Sequence, residues 1–457
     1  MYKLRKYQRA AVDAAVESFK SKKNGILVEP TGAGKSIIIA TIAEELGGKT
    51  LILQPTKEIL EQNRDKLRAI GCRNLGVYSA SMNQKYVGTI TLATIGSVVK
   101  KGYLFKEVDR IIIDECHKVN SKAGMYSKFI EELGVPVLGL TATPYRMTNY
   151  RDFNTGQYVA KSQILTRTRP KIFSKIVHIT QIQELFEAGF LCPLNYDSEN
   201  TYDSSQIKST STGQGFDPAA LERYNKKQNI VEKTIDAVLS SNRKSYLIFT
   251  EFTSESKLVI EGLAAHGIKC VEVSAKTKKK DRESIIRNFK TGRITHIVNV
   301  GVFTTGFDYP ELDCIVLSSP GKSVALYYQK TGRGIRIAPG KDSCLLVDLC
   351  DNVKRFGKVE TFELYDQNGK GMWRLRSDVG NLTGVDVVTG RNLEKIKGGP
   401  EKNEKGEQMM TFGRHAGKRL CDVPISWINW AVDNFKPGKQ RDMLSAEFDR
   451  RENLNLV

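Results

Sequence analysis

The chain has eight cysteines in 457 residues, and no two form a C-x-x-C pair. That spacing is the usual nucleus of zinc and redox sites, so neither zinc nor an iron–sulfur cluster is expected. The nearest pair, Cys344 and Cys350, lies in or beside an apolar run and reads as core thiols of a reducing compartment. No apolar run reaches about 18 residues, so no membrane-spanning helix is expected. The opening Met1-Tyr2-Lys3-Leu4-Arg5-Lys6 lacks the apolar stretch of a signal peptide, and a cytoplasmic location is expected. No nuclease-type metal cluster is evident. Acidic residues are scarce beside basic ones, 51 against 70, which gives a net charge of +19 and a pI near 9.4. Such an excess calls for a polyanionic partner.

Glycine is concentrated where it carries chemistry. Glu29-Pro30-Thr31-Gly32-Ala33-Gly34-Lys35-Ser36 stands between the apolar runs Gly25–Val28 and Ile37–Ala40. This reads as strand, glycine turn and helix, with the Gly-Lys-Ser ending of a phosphate-binding loop. Backbone N–H groups of Gly32 and Gly34 and the helix N-terminus would face phosphate oxygens. Lys35 would reach the β- and γ-phosphates of ATP, and Ser36 would hold Mg²⁺. The first glycine of the usual pattern is absent; Glu29 stands there. A loop of this kind demands an acid at the end of a later strand. Asp109–Ile113 runs into Asp114-Glu115-Cys116-His117, which makes Asp114 the second Mg²⁺ ligand and Glu115 the general base. A further strand ends in Thr141-Ala142-Thr143-Pro144, whose hydroxyls can bond the acid–His turn.

This ordered set, a Gly-Lys-Ser loop, then Asp-Glu-x-His, then Thr-Ala-Thr-Pro, resembles a superfamily 2 helicase of the DExH type. The second half carries the matching motifs: Gln329-Lys-Thr-Gly-Arg333-Gly-Ile-Arg336 and a strand leading to Thr305-Gly306-Phe307-Asp308. Leu4-Arg5-Lys6-Tyr7-Gln8 is similar to the family's adenine-contacting segment. The resemblance covers roughly residues 1–360 and is nearest to phage-encoded and bacterial repair helicases that remodel forks and branched DNA. It implies two tandem RecA-like α/β domains with parallel sheets and a cleft between them. It implies that Tyr7 and Gln8 meet adenine, that Arg333 and Arg336 act as arginine fingers, and that Gln329 sits near the water or γ-phosphate. Gly306 and Asp308 would link nucleotide to DNA, with Asp308 in reach of the ribose. DNA contacts are implied at Thr56 and Lys57, at Thr94 and Ser97, at Thr250 and Thr253, and at Thr304 and Thr305. The partner is then forked, branched or single-stranded DNA bound without sequence preference, in the host cytoplasm if phage-encoded; a monomer is one option, and the sequence leaves the oligomeric state open. Three other readings stay open: a duplex translocase without strand separation, as in restriction motors; an RNA helicase; and a binding protein that has lost catalysis. The intact Lys35, Asp114, Glu115, Arg333 and Arg336 speak against the last.

Alternating strands and helices predict a first parallel-sheet domain over 1–145, with strands near 25–29, 50–54, 89–93, 109–113 and 136–140. Residues 146–225 read as a basic arm or hairpin, a helix over 182–191 ended by Gly189, and a Ser/Thr-rich crossing at 203–215 with poor order. The arm (Arg146, Arg151, Lys161, Arg167, Arg169, Lys171, Lys175) is a candidate junction contact. A second domain is expected over 226–365, starting with a helix at 226–240. Residues 366–457 form an accessory region with a small module at about 408–457, in which Trp427 and Trp430, at i and i+3, are expected in the core.

Overall fold

The computed structural model describes residues 3–120, 124–151, 158–302, 309–386, 388, 407–410, 415, 418–435 and 439–453. In chain order the first strands are β1 (Gly25–Val28), β2 (Thr50–Gln54), β3 (Leu75–Ser79), β4 (Gln84–Tyr86), β5 (Ile90–Thr94), β6 (Arg110–Asp114) and β7 (Val137–Thr141). The hairpin β8 (Tyr145–Arg151) and β9 (Tyr158–Ile164) follows, and β10 (Lys175–Ile179) returns to the first sheet. That sheet has the order β10-β1-β7-β6-β2-β5-β3-β4, parallel except for the β3–β4 pair. The second sheet is parallel throughout: β11 (Leu194–Asp197), β12 (Tyr246–Thr250), β13 (Cys270–Ser274), β14 (His296–Val300), β15 (Cys314–Leu317) and β16 (Cys344–Asp348) in the order β11-β16-β15-β12-β14-β13. A small antiparallel sheet, β17 (Glu363–Asp366), β18 (Trp373–Ser377) and β19 (Gly380–Asn381), follows.

Strand periodicity sets where the cores lie. In β1, β2 and β6 the residues Ile26, Val28, Leu51, Leu53, Ile111 and Ile113 face one apolar cluster. Their neighbours Leu27, Ile52 and Ile112 face another, closed by the helices Lys6–Lys20 and Lys35–Leu46. The first cluster continues without a break through Leu247, Phe249, Ile315 and Leu317 of the second sheet. The inner strands of each sheet are buried on both faces, as parallel strands of near-continuous Ile, Val and Leu require. Each such side chain contributes about 1.5–3 kcal/mol on burial. One apolar cluster spanning both sheets fixes the strand ends of one against those of the other.

The expected strands are present, mostly starting one residue later. Asp109 is not in β6; its backbone N–H bonds Lys49 O, and its carboxylate accepts the Lys49 N–H at 2.6 Å. The shift matters, because Thr94, Asp114 and Thr141 become the last residues of their strands. The segment 146–225 differs more. It gives one edge strand to each sheet, β10 beside β1 and β11 beside β16, as well as the expected hairpin. The helix before Gly189 is shorter, Ile182–Glu187, and Gly189 takes φ +67°. The Ser/Thr-rich crossing is packed, contrary to expectation. Tyr202, Ile207 and Phe216 are buried with Ile230 and Cys350, and Ser209 pairs with Phe216. Lys322 Nζ bonds Ser209 Oγ and, at 3.4 Å, Gly213 O. The helix expected at 226–240 is two, Pro218–Lys227 and Ile230–Ser240, broken where Asn229 adopts φ +52°.

The C-terminal module has its own core of Met410, Leu420, Val423, Trp427, Ile428, Ala431 and Leu444. Trp427 is in it, but Trp430 is 53% exposed and only leans on Trp427 and Phe435. All eight cysteines are free thiols. Six are buried, Cys270 is half-buried, and Cys421 in the module is exposed. No helix of the described residues is long and apolar enough to cross a membrane, and no group of described side chains could hold a metal by His, Cys, Asp and Glu alone.

Candidate active site

The phosphate loop follows β1 and ends on the helix Lys35–Leu46. Gly32 and Gly34 adopt φ +88° and +81°, a conformation that other residues take only under strain. A Cβ at Gly32 would lie 2.7 Å from Leu191 Cδ2, and one at Gly34 would lie 2.7 Å from Gln8 Nε2. The cradle is therefore lined at van der Waals distance and admits only glycine. Tyr7 Oη and Gln8 Nε2 both donate to Ala33 O at 2.9 Å, and Gln8 Oε1 accepts the Arg5 N–H at 3.0 Å. The two residues expected at adenine thus brace the loop. Beside them the Arg5 guanidinium lies 3.7 Å over the Phe190 ring, a contact the sequence did not suggest.

Lys35 Nζ rests 3.3 and 3.4 Å from the carbonyls of Glu29 and Pro30. Glu29, in the place of the first glycine, is fully buried, 3.9 Å from His178 Nε2. Burial pushes its carboxyl up to about 8 despite opposing contributions from Thr180 and Lys35. The unfolded carboxyl ionises near 4.5, so the folded state binds the extra proton, and stability falls as pH rises from about 4.5 through 8. Glu29→Gln should flatten this loss and raise the Tm at pH 8–9 relative to wild type by several degrees, at roughly 2–4 °C per kcal/mol. Melting curves across pH check this; parallel curves for both chains would contradict it.

Asp114 ends β6 beside the loop. Its carboxylate accepts Asn63 Nδ2 and the Glu115 N–H, each at 2.9 Å. Burial, reinforced by Glu115, pushes its acidity to weaker values. Glu115 sits at φ +51°, which turns its side chain out of the strand direction. Burial opposes its ionisation, but Lys35 and His117 outweigh this and hold the carboxyl below its usual range. His117 Nδ1 lies 3.3 Å from Glu115 Oε2 and 2.9 Å from Thr141 Oγ1. Its other nitrogen, Nε2, lies 3.2 Å from Gln329 Nε2, across the cleft. With the amide donating, His117 carries its proton on Nδ1 and faces Glu115 and Thr141.

The second sheet brings its residues to the same place. Beside Gln329, Tyr328 Oη accepts the Thr31 N–H at 3.2 Å, so the helix Val324–Thr331 is bonded to the phosphate loop itself. Arg333 and Arg336 line one cavity of about 560 Å³ together with Lys35, Ser36, Asp114, Glu115 and Gln329. That volume suits a nucleotide. The two arginines, although three residues apart, do not lie on one helical face. The helix ends at Thr331, Arg333 occupies the following turn, and Arg336 lies in irregular chain beyond it. Gly334 makes this path available, since a Cβ there would lie 2.6 Å from Cys344 Sγ. Lys341 Nζ ties the loop down through the carbonyls of Gly334, Arg336 and Pro310 at 2.7–2.9 Å. Burial lowers both guanidinium groups to about 10, which leaves them charged at neutral pH.

Of the residues expected to touch DNA, none of those described lines this cavity. Thr56 caps the helix Lys57–Ile70 by accepting the Ile59 N–H, and Lys57 pairs with Glu61 at 3.3 Å. Thr94 Oγ1 and Ser97 Oγ are 2.8 Å apart, and Ser97 Oγ also accepts the Ala80 N–H. Thr250 departs from the expectation. It is the last residue of β12 and 5% exposed, so its hydroxyl is sealed from a phosphate as the chain stands. Thr253 begins the helix Thr253–Ala265 and is half-buried. Thr304, Thr305, Gly306 and Asp308 lie outside the described residues. Sequence reasoning missed Asn63, Phe190, Leu191, Tyr328 and Lys341. None is in a motif, and each reaches the site only through the fold.

Residues 1–146 match the family described as "Type III restriction enzyme, res subunit", and residues 226–338 match "Helicase conserved C-terminal domain". The chain is 29% identical over 374 residues to "Putative ATP-dependent helicase IRC3" of Saccharomyces cerevisiae, covering 76% of this chain and 51% of the relative. It is 26% identical over 364 residues to a "51.5 kDa protein" of a Lactococcus phage (isolate 7-9), covering 77% and 71%. The chain thus spans about half the length of its yeast relative. Among solved structures, "ATP-dependent Type ISP restriction-modification enzyme LlaBIII bound to DNA" superposes with a TM-score of 0.57 at 18% identity, over 76% of this chain and 28% of that one, which is a likeness of fold. Two family matches in the helicase order, the paired parallel sheets and the motif residues at their facing strand ends lead to one statement: the chain belongs to the superfamily 2 helicases and carries both RecA-like motor domains.

Proposed function

We propose that this chain is an ATP-driven DNA motor that separates strands at forks or branch points. The observation that carries the reading is the single cavity joining Lys35, Ser36, Asp114 and Glu115 of one sheet to Gln329, Arg333 and Arg336 of the other. ATP hydrolysis there is coupled to the angle between the domains, because the charges that stabilise the reaction come from both sides, Lys35 from one and Arg333 and Arg336 from the other.

The glycine cradle and Lys35 hold the triphosphate. Ser36 and Asp114 fit Mg²⁺: one hydroxyl and one carboxylate beside the loop, the latter kept in orientation by Asn63. The ion would neutralise charge on the β- and γ-phosphate oxygens. Glu115, held ionised, orients the attacking water and accepts its proton. Arg333 and Arg336 stabilise charge on the γ-phosphate, and the His117–Gln329 contact reports the γ-phosphate to the second domain. Tyr7 and Gln8 act with Arg5 and Phe190 at the base, bracing the loop while the base stacks outside it. Thr56, Lys57, Thr94, Ser97, Thr253 and the segment carrying Thr304 and Thr305 hold the tracking strand by its phosphates, which gives register without sequence preference. Gly306 and Asp308 connect the two sites.

The match to a restriction-enzyme subunit and the likeness to an ATP-dependent restriction-modification enzyme bound to DNA favour a second reading, translocation along duplex DNA without unwinding. The two separate in one experiment. Strand displacement from a forked substrate with ATP is expected, with little release of a third strand from a triplex by tracking along blunt duplex. Triplex release without fork unwinding would replace the first reading by the second, and stimulation by RNA equal to that by DNA would overturn both. For the metal, Asn63→Ala should raise the Mg²⁺ concentration needed for half-maximal turnover about 10–100-fold, because Asp114 loses its fixing bond. An unchanged Mg²⁺ midpoint would contradict this role of Asn63.

A further inference from the structure

On the β10 edge of the first sheet an open groove of about 700 Å³ runs between the segment after β9 and the turn between β17 and β18. Arg167, Arg169, Lys171 and Lys175 line one side, and Lys370 and Trp373 line the other. Its one carboxylate, Asp366, is occupied: its oxygens accept the backbone N–H groups of Asn368, Gly371 and Met372. Among the described residues Arg169, Lys171, Lys175 and Lys370 form no ion pair, and all four are exposed. These four cations facing one occupied carboxylate repel each other unless an anion is present.

The walls are fixed to one another. Gln181, just past β10, donates to Leu364 O at 2.7 Å and accepts the Leu364 N–H at 3.1 Å. Gly384 N–H bonds Ser162 O at 3.2 Å, and the backbones of Lys161 and Asp386 form an antiparallel bridge. The charges therefore stand at set separations before any ligand arrives, which lowers the ordering cost of binding. The shape favours a backbone over bases. Trp373 is the sole ring among the described lining residues and is half-buried, so no row of exposed rings offers a stacking platform.

We infer that this groove binds the sugar–phosphate backbone of a duplex arm, holding the DNA outside the motor cleft at a second contact. The inference rests on the reading of the chain as a DNA motor, and it locates the arm of the fork that the motor does not track.

The test uses the full chain and the triple variant Arg169→Ala, Lys171→Ala, Lys370→Ala. Binding to a forked duplex and to a single strand is followed by fluorescence anisotropy across KCl concentrations, without nucleotide. Each lost phosphate contact makes log K against log[salt] shallower by about 0.9. The expected result for the fork is a slope shallower by about 2–3 and affinity about tenfold lower or more. Single-strand affinity and single-strand-stimulated ATP turnover should stay within about twofold of wild type, with unchanged melting temperature. Unchanged fork affinity and slope would overturn the inference, and so would equal losses on fork and single strand. Because the binding assay contains no nucleotide, a wild-type chain that fails to hydrolyse ATP would sink the motor reading while the groove is still scored.

Discussion

A chain carrying Arg336→Ala should hydrolyse ATP about 10³–10⁵-fold more slowly in the presence of DNA while its KM changes little. Arg336 reaches the cavity from the second domain and stays charged there. A cation so placed meets a γ-phosphate already shared with Lys35 and adds most where charge builds in the transition state. The loss should therefore appear in kcat. Steady-state turnover over a range of ATP concentrations separates the two parameters. A higher KM with unchanged kcat would make Arg336 a simple binding residue.

Glu115→Gln should leave ATP bound and unhydrolysed. The amide preserves the volume of the carboxylate and leaves Asp114 and Asn63 untouched, yet it cannot accept a proton. A positioned general base contributes about 10²–10⁴-fold, and the chemical step should slow by that factor. Filter binding of ATP alongside single-turnover hydrolysis tests it: affinity near wild type with slow chemistry is expected. Hydrolysis reduced only a few-fold would move the base elsewhere, with His117 the next group in reach, 3.3 Å from Glu115.

The motifs were legible because each is a short stretch whose backbone role is local. A glycine pair at positive φ, an acid at a strand end and a Thr-Ala-Thr turn need no knowledge of the partner strand. What sequence could not supply was the other half of each contact. Asn63 meets Asp114 from a helix 51 residues earlier, and Tyr328 meets Thr31 from 297 residues later. The edge strand β10, Lys-Ile-Val-His-Ile, is short and follows a basic run, so its composition resembled an arm. The Ser/Thr-rich crossing misled in the same way, because its order comes from Tyr202 and Phe216 packing on Ile230 and Cys350 and not from its own polarity. Arg333 and Arg336, three residues apart, share no helix, because it ends at Thr331 with Gly332 as its cap, yet the fold delivers both side chains to the cavity.

The central claim is that one cavity shared by two domains hydrolyses ATP under the control of DNA. The most direct test is phosphate release by the wild-type chain and by Lys35→Ala, with and without forked DNA. Forked DNA should raise turnover strongly in wild type, and Lys35→Ala should show only background turnover although that chain still binds the fork. DNA-stimulated turnover at the wild-type rate in Lys35→Ala would contradict it.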